Sequence, residues 1–220
     1  MLPKTLTKIA VGLVAIAVLA MLFVRSVVNV GSEPYTIDQD RLANWTVALD
    51  PAPDASGVLL ALWPQNALAP PLFSQLFTRS GMSLSGPNPV AMPLVLKSEF
   101  DQSLAGTLSP DALLALARDS GLESIQPKPL CMANRRLSRP GSTREVFFIR
   151  FEQPPFDAFR RQVAQQFARA GGDAGGKNGG FNPLGLSPIV IMAATDVNFG
   201  SWLPLQGDAA QDCLAPITVQ

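Results

Sequence analysis

The chain contains no histidine. That absence removes serine–histidine and cysteine–histidine nucleophilic pairs, haem attachment through C-x-x-C-H and the usual catalytic zinc sites, all of which need an imidazole. No Ser-x-x-Lys sequence occurs either, which removes one serine–lysine arrangement. An ordinary hydrolase or metalloenzyme is therefore disfavoured, and no cofactor is expected. Charge is scarce and balanced, with 17 Lys+Arg against 17 Asp+Glu, so the net field steers no ligand. Cysteine appears only twice, at Cys131 and Cys213.

Apolar residues, by contrast, make up 47% of the chain. The densest run is Ile9 to Val24, without a charge, preceded by Lys4 and Lys8 and closed by Arg25. A helix across a bilayer needs about 20 apolar residues, and Ser26 to Val30 extends the run toward that length. The flanking lysines place the N-terminus in the cytoplasm by the positive-inside rule. A cleaved signal peptide is the rival reading, with Val18-Leu-Ala20 as a small-residue cleavage site. Cleavage there leaves an apolar new N-terminus, which favours an uncleaved anchor. Either way the remainder is exported. No cysteine follows the segment at a lipidation position.

Residues 1–30 thus read as a cytoplasmic tip and signal-anchor, 31–41 as a polar stalk, and 42–220 as one extracytoplasmic domain of ordinary size. In an oxidising compartment Cys131 and Cys213 are most simply a disulfide, the alternative being two buried thiols. Twelve of the 17 basic residues are Arg and Ala is abundant, which suits a GC-rich bacterial genome and hence the periplasm. The expected location is the inner membrane, single-pass, with the domain in the periplasm. Secretion after signal cleavage is the alternative.

Along the domain, Trp45 to Leu49 and Gly57 to Trp63 flank a proline-rich turn and predict a hairpin. Pro70-Pro71 opens a helix that Gly81 stops, with Leu72, Phe73, Leu76 and Phe77 on one face. Met92 to Phe100 alternates as a strand. Ser109-Pro-Asp111 predicts a capped helix start. Leu130 to Arg136 and Glu145 to Phe151 read as strands around a basic turn, the second apolar on nearly both faces and so central. Pro154-Pro155 begins a helix whose Phe156, Phe159, Val163 and Phe167 make a core-facing stripe. Residues 171–187 read as a flexible Gly-rich loop. Ile189 to Ala194 is a buried strand, and Leu214 to Val219 a last edge strand.

The fold class expected is α+β. A single transmembrane helix is followed by an antiparallel sheet with helices on one face. From Met92 to Ala194 the order is βαββαβ, that of a ferredoxin-like sandwich, with an extra N-terminal hairpin.

Three groups of residues could carry function. Gly171 to Asn178 nearly spells a P-loop, but Asn178 replaces the magnesium-binding Ser or Thr and the tract follows a helix, so no nucleotide is expected. Glu99 with Asp101, and Glu152 with Asp157, are paired acids, yet neither spacing selects for glycoside chemistry. The arginines are the constellation that stands out: eight lie between Arg135 and Arg169 against three acids. Arg135, Arg136, Arg139 and Arg144 crowd one hairpin. Guanidinium forks bind carboxylate and phosphate bidentately, which makes these four the candidate anion-binding residues. An ordinary solvated basic turn is the plainer reading.

The partners implied are the lipid bilayer through residues 9–30 and an envelope protein or anionic polymer, with no nucleic acid. The function expected is a non-enzymatic binding or structural component of the bacterial cell envelope. The alternative is a carboxylate-dependent enzyme acting on an anionic envelope glycan or lipid.

Overall fold

The computed structural model describes residues 33–172, 180–205 and 212–220, with Val14 and Ile16 to Leu19 (of Arg139, the backbone only). Its eight strands form two sheets. β2 (Trp45–Leu49), β3 (Val58–Pro64) and β4 (Met92–Leu96) make an antiparallel meander in the order β2-β3-β4. β5 (Pro129–Arg139), β6 (Ser142–Phe151), β7 (Ile189–Ala194), β8 (Cys213–Val219) and β1 (Tyr35–Ile37) make the other, in the order β1-β8-β5-β6-β7. That second sheet is mixed: β1 runs parallel to β8, and every other pair is antiparallel.

Three helices of useful length connect the strands. α1 (Ala69–Ser80) and α3 (Pro154–Arg169) carry proline in their first turn, where the missing N–H has no intrahelical partner to lose. α2 (Pro110–Asp119) has the same proline plus a cap, with Ser109 Oγ accepting from the Ala112 N–H at 3.1 Å. Gly81 ends α1 in the left-handed region at φ 61°, its N–H donating to the Phe77 carbonyl at 3.1 Å.

The main core lies between the sheets. Val47, Leu60, Leu62 and Leu94 from the meander meet Met132, Phe147 and Ile149 from the larger sheet, with Leu72, Leu113, Phe159 and Val163 of the helices filling in. A second, smaller core forms on the other face of the larger sheet. Here Ala133, Val146, Phe148 and Ile191 are covered by Trp202 and Leu205. The alternation along β6 explains both, since Phe147 and Ile149 point one way, Val146 and Phe148 the other.

The α+β class holds, but the ferredoxin-like topology does not. β4 pairs with β3 and not with β6, so the hairpin expected as an appendage is the platform β4 joins. β7 pairs directly with β6, whereas a ferredoxin-like sheet would place β4 between them. Element order alone does not fix pairing, and the short apolar β4 satisfies the meander instead. Helices consequently do not line one face of a single four-stranded sheet.

Four smaller expectations also change. The strand beginning at Met92 ends at Leu96, because Lys97–Glu99 turns helical and Phe100–Leu104 continues as a π-helical turn. β8 is interior, between β1 and β5, and not an edge. Tyr35–Ile37, within the segment read as a stalk, is a buried strand. Arg79 holds it to α1: its guanidinium lies 4.1 Å from the Tyr35 ring centroid and Nη2 donates to the Pro34 carbonyl at 3.0 Å. Burial pushes the Tyr35 hydroxyl up, and Arg79 pulls it partly back. In α1, Leu72 and Leu76 are buried while Phe77 is half exposed, so the apolar face is narrower than its spacing suggests.

The spanning helix is a further correction. Among the described residues no helix is long and apolar enough to cross a membrane. The segment 9–30 lies outside the described residues apart from Val14 and Ile16 to Leu19, which are helical and exposed. Of the Gly-rich tract, 173–179 lies outside the described residues, whereas Phe181 is buried.

Arg160 ties these parts together. Its side chain is fully buried on α3, and its five N–H groups meet five acceptors. Nε donates to the Pro183 carbonyl at 2.9 Å, and Nη1 to the Leu94 carbonyl at 3.0 Å and Glu99 Oε2 at 3.2 Å. Nη2 donates to Glu99 Oε1 at 2.6 Å and the Asn182 carbonyl at 2.7 Å. The Phe181 ring lies 4.6 Å from the guanidinium carbon. Glu99 also accepts from the Leu96 N–H at 3.0 Å, capping the turn after β4.

Glu99→Ala leaves this guanidinium charged and unpaired in the interior, and is expected to cost about 3–5 kcal/mol. The double variant Glu99→Leu/Arg160→Met stays destabilised, because the Leu94, Asn182 and Pro183 carbonyls lose their donors. Urea unfolding midpoints of the two variants check both expectations. Recovery of wild-type stability in the double variant would show that the carbonyls do not depend on Arg160.

Candidate functional site

β5 and β6 form a long hairpin turning through Pro140 and Gly141, where Gly141 takes φ 82°. Paired residues in an antiparallel ladder share a face, so the register decides where each arginine goes. Arg136 faces Glu145 across the ladder, on the side of Phe147 and the main core. Arg135 pairs with Val146 and Arg144 with Leu137, which puts both on the opposite side with the smaller core.

Each described guanidinium of the candidate set engages its own acid. Arg136 reaches Glu145 Oε2 with Nη2 at 3.0 Å and Nε at 3.3 Å. Glu145 is buried and also accepts from the Asn134 amide. Arg135 Nη2 lies 2.8 Å from Asp212 Oδ2, just before β8. Arg144 Nε donates to Asp196 Oδ2 at 2.8 Å and Nη2 to Ser201 Oγ at 2.6 Å, while its guanidinium carbon sits 4.8 Å from the Trp202 ring centroid. Arg139 ends β5 beside the turn, paired with Ser142. The hairpin therefore brings Arg135 and Arg144 to one face and Arg136 to the other, with three separate carboxylates taking their charge.

The Arg144 group orders the segment that roofs the smaller core. Asp196 accepts from Arg144, from the Asn198 N–H at 3.0 Å and from Trp202 Nε1 at 3.3 Å. The hydrogen bond from Arg144 holds the Asp196 carboxyl below the usual carboxylate range, against desolvation, with the Asn198 N–H adding to it.

The disulfide lies on this same face. Cys131 of β5 and Cys213 of β8 are bonded, with Cα atoms 5.7 Å apart and a sequence separation of 82. That separation falls within the range a disulfide bridges without moving the backbone.

Of the acids weighed for catalysis, Glu99 is a structural charge held by buried Arg160, whereas Asp101 and Glu152 form surface ion pairs with Lys97 and Lys128.

Sequence reasoning missed two adjoining clefts. One, of about 470 Å³, lies between β4 and β7 and is lined by Trp63, Pro93, Ile191, Val197 and Phe199. Its neighbour, of about 590 Å³, runs past Pro70, Phe73 and Met192. The segment Gly86-Pro-Asn-Pro89 is a wall common to both. It is pinned at Ser85, which exchanges backbone hydrogen bonds of 2.9 and 2.8 Å with Ala194 at the edge of β7. Gly86 packs closely there: a Cβ would stand 3.0 Å from the Met192 carbonyl oxygen and 3.3 Å from the Phe73 ring, so a side chain would have to push its neighbours apart. Val197, 76% exposed, is the most exposed large apolar side chain of the folded body. The proline-rich sequence at 87–89 was the only signal in the chain, and it reads equally well as a plain loop.

No family model matches the chain, and no curated protein or solved structure matches it.

Because Asp196 has its pKa depressed by folding, it contributes stability above the unfolded carboxylate pKa of about 3.9. That contribution is lost as the pH falls through the lower folded value. Asp196→Asn lacks it, so the gap in unfolding free energy between wild type and variant should shrink from pH 6 to pH 2. Parallel pH profiles for the two proteins would remove Asp196 from the acid response.

Proposed function

We propose that this chain is an exported component of the bacterial cell envelope whose folded body binds a protein partner outside the cytoplasmic membrane and performs no catalysis. The observation that carries the proposal is the Cys131–Cys213 bond across two neighbouring strands. Such bonds persist in oxidising compartments and are rare where thiols are kept reduced. The charge-free run from Ile9 to Val24 behind Lys4 and Lys8 supports an exported topology. The lack of histidine and the engagement of Glu99, Glu145, Asp196 and Asp212 with arginines support binding over catalysis.

A protein partner suits the surface better than an anionic polymer. The arginines divide between two faces and their charges are locally met. The clefts beside Gly86–Pro89, by contrast, offer aromatic and proline rings with few charges, the composition of interface cores.

Two measurements on the full chain expressed in a bacterium test this. Thiol labelling of unreduced protein should find neither cysteine, and both after reduction. A photo-crosslinker at Val197 should yield a discrete protein adduct in cells, whereas one at Leu137 should yield none. Two free thiols before reduction, or monomer alone from both positions, would overturn the proposal.

The bond also has an energetic consequence. In the chain-entropy view, closing a loop of 82 residues is worth about 4.5 kcal/mol. Cys131→Ala/Cys213→Ala should lower the unfolding free energy by roughly that amount, read by urea titration against the oxidised protein.

A further inference from the structure

A third pocket reaches from the surface into the main core, on lining residues shared with neither cleft. It measures about 260 Å³ and is walled by Leu62, Met92, Leu94, Leu122, Phe151 and Phe156. All six side chains are buried, so water-sized space sits among residues that elsewhere in this protein pack against one another. Close-packed interiors leave few voids larger than one water. A void this size lacks partner atoms along much of its wall, and filling it restores those contacts.

The way in is defined by exposure. Of the lining residues only Gln126, Lys128 and Glu152 are exposed, so the void opens to solvent among them, with Ile125 at the lip. The mouth is framed, not loose: the Glu152 N–H donates to the Lys128 carbonyl at 3.0 Å, and Lys128 Nζ stands 3.8 Å from Glu152 Oε2. Its two charges oppose each other and cancel. Beyond the mouth the wall offers no ionisable side chain. A charged ligand would give up its water with nothing inside to replace it.

We propose that this void is a binding site for a compact, uncharged, apolar molecule of about ten non-hydrogen atoms, scaled from an apolar cavity of ~150 Å³ that holds benzene. One neutral hydrogen-bonding group of the ligand sits at the Gln126 mouth. The proposal rests on the cavity alone and is independent of the compartment and partner proposed above.

The probe is 2-naphthol, neutral at pH 7, with 2-naphthoate as the same ring system bearing a carboxylate. Calorimetric titration of the full chain should show one saturable site for 2-naphthol and at least tenfold weaker binding of 2-naphthoate. Ile125→Trp, which drives an indole into the lip, should weaken 2-naphthol at least tenfold, whereas Val197→Ala in the separate cleft between β4 and β7 should leave it unchanged. Methyl NMR of the unsubstituted protein gives a second readout, with shifts expected at Leu62, Met92, Leu94, Leu122 and Ile125. Unsaturable binding, equal affinity for the naphthoate, full binding by folded Ile125→Trp, or shifts centred on Ile191 and Val197 would each overturn the assignment. If Ile125→Trp does not fold, the methyl shifts decide alone.

Discussion

The fully buried guanidinium of Arg160 ties together the two halves of this fold. Arg160 reaches from α3 to the end of β4, to the turn that follows it and to the loop before β7, and each contact uses a different N–H. Burying a guanidinium is costly unless every donor is met and the charge is paired, and both conditions are satisfied here. Such a contact tolerates little displacement. The three-stranded meander and the five-stranded sheet share no ladder, so beyond apolar packing polar contacts such as this one, and the Ser85–Ala194 backbone pair, fix how they meet. The flanking Phe181 and Phe156 rings exclude water from it, which strengthens each bond.

The smaller core follows the same logic at lower stakes. Arg144, Asp196 and Trp202 form a partly exposed triad that lays the segment 196–205 over Phe148 and Ile191. The disulfide closes the neighbouring part of that face. The basic hairpin is thus less a reservoir of free charge than a set of fasteners: Arg136 pairs across the hairpin with Glu145, while Arg135 and Arg144 each draw a distant acid onto the sheet. Asp212 and Asp196 lie 77 and 52 residues from their partners, and the long hairpin is what reaches them.

What was readable in the sequence was local. Ser109-Pro-Asp111 marks a helix start because cap, proline and acid act within one turn, and α2 begins there. The β5–β6 hairpin and the phenylalanine stripe of α3 follow from period and turn chemistry. The cysteine pairing was legible because only one pair exists. Contacts decided by the whole chain were not legible. β4 carries the same apolar pattern whether it joins β3 or β6, and only the competition for the edge of β6 separates the two. Tyr35–Ile37 is three residues long among polar neighbours, too short for any period to register. Glu99 and Arg160 stand 61 residues apart, and each looks like a surface charge until folded. The clefts and the internal void arise where elements from distant parts of the chain fail to fill space, which no window of sequence reports.

The parallel pairing of β1 with β8 has a mechanical side. Residue 33 leads directly into β1, whose hydrogen bonds to β8 run across the direction of pull. A force along the axis of β1 would load those bonds together, in shear, instead of unzipping them one by one. From β8 the strain passes through a covalent sulfur bridge into β5, the middle strand of the sheet. A load along the axis of β1 is in this way shared with the centre of the sheet.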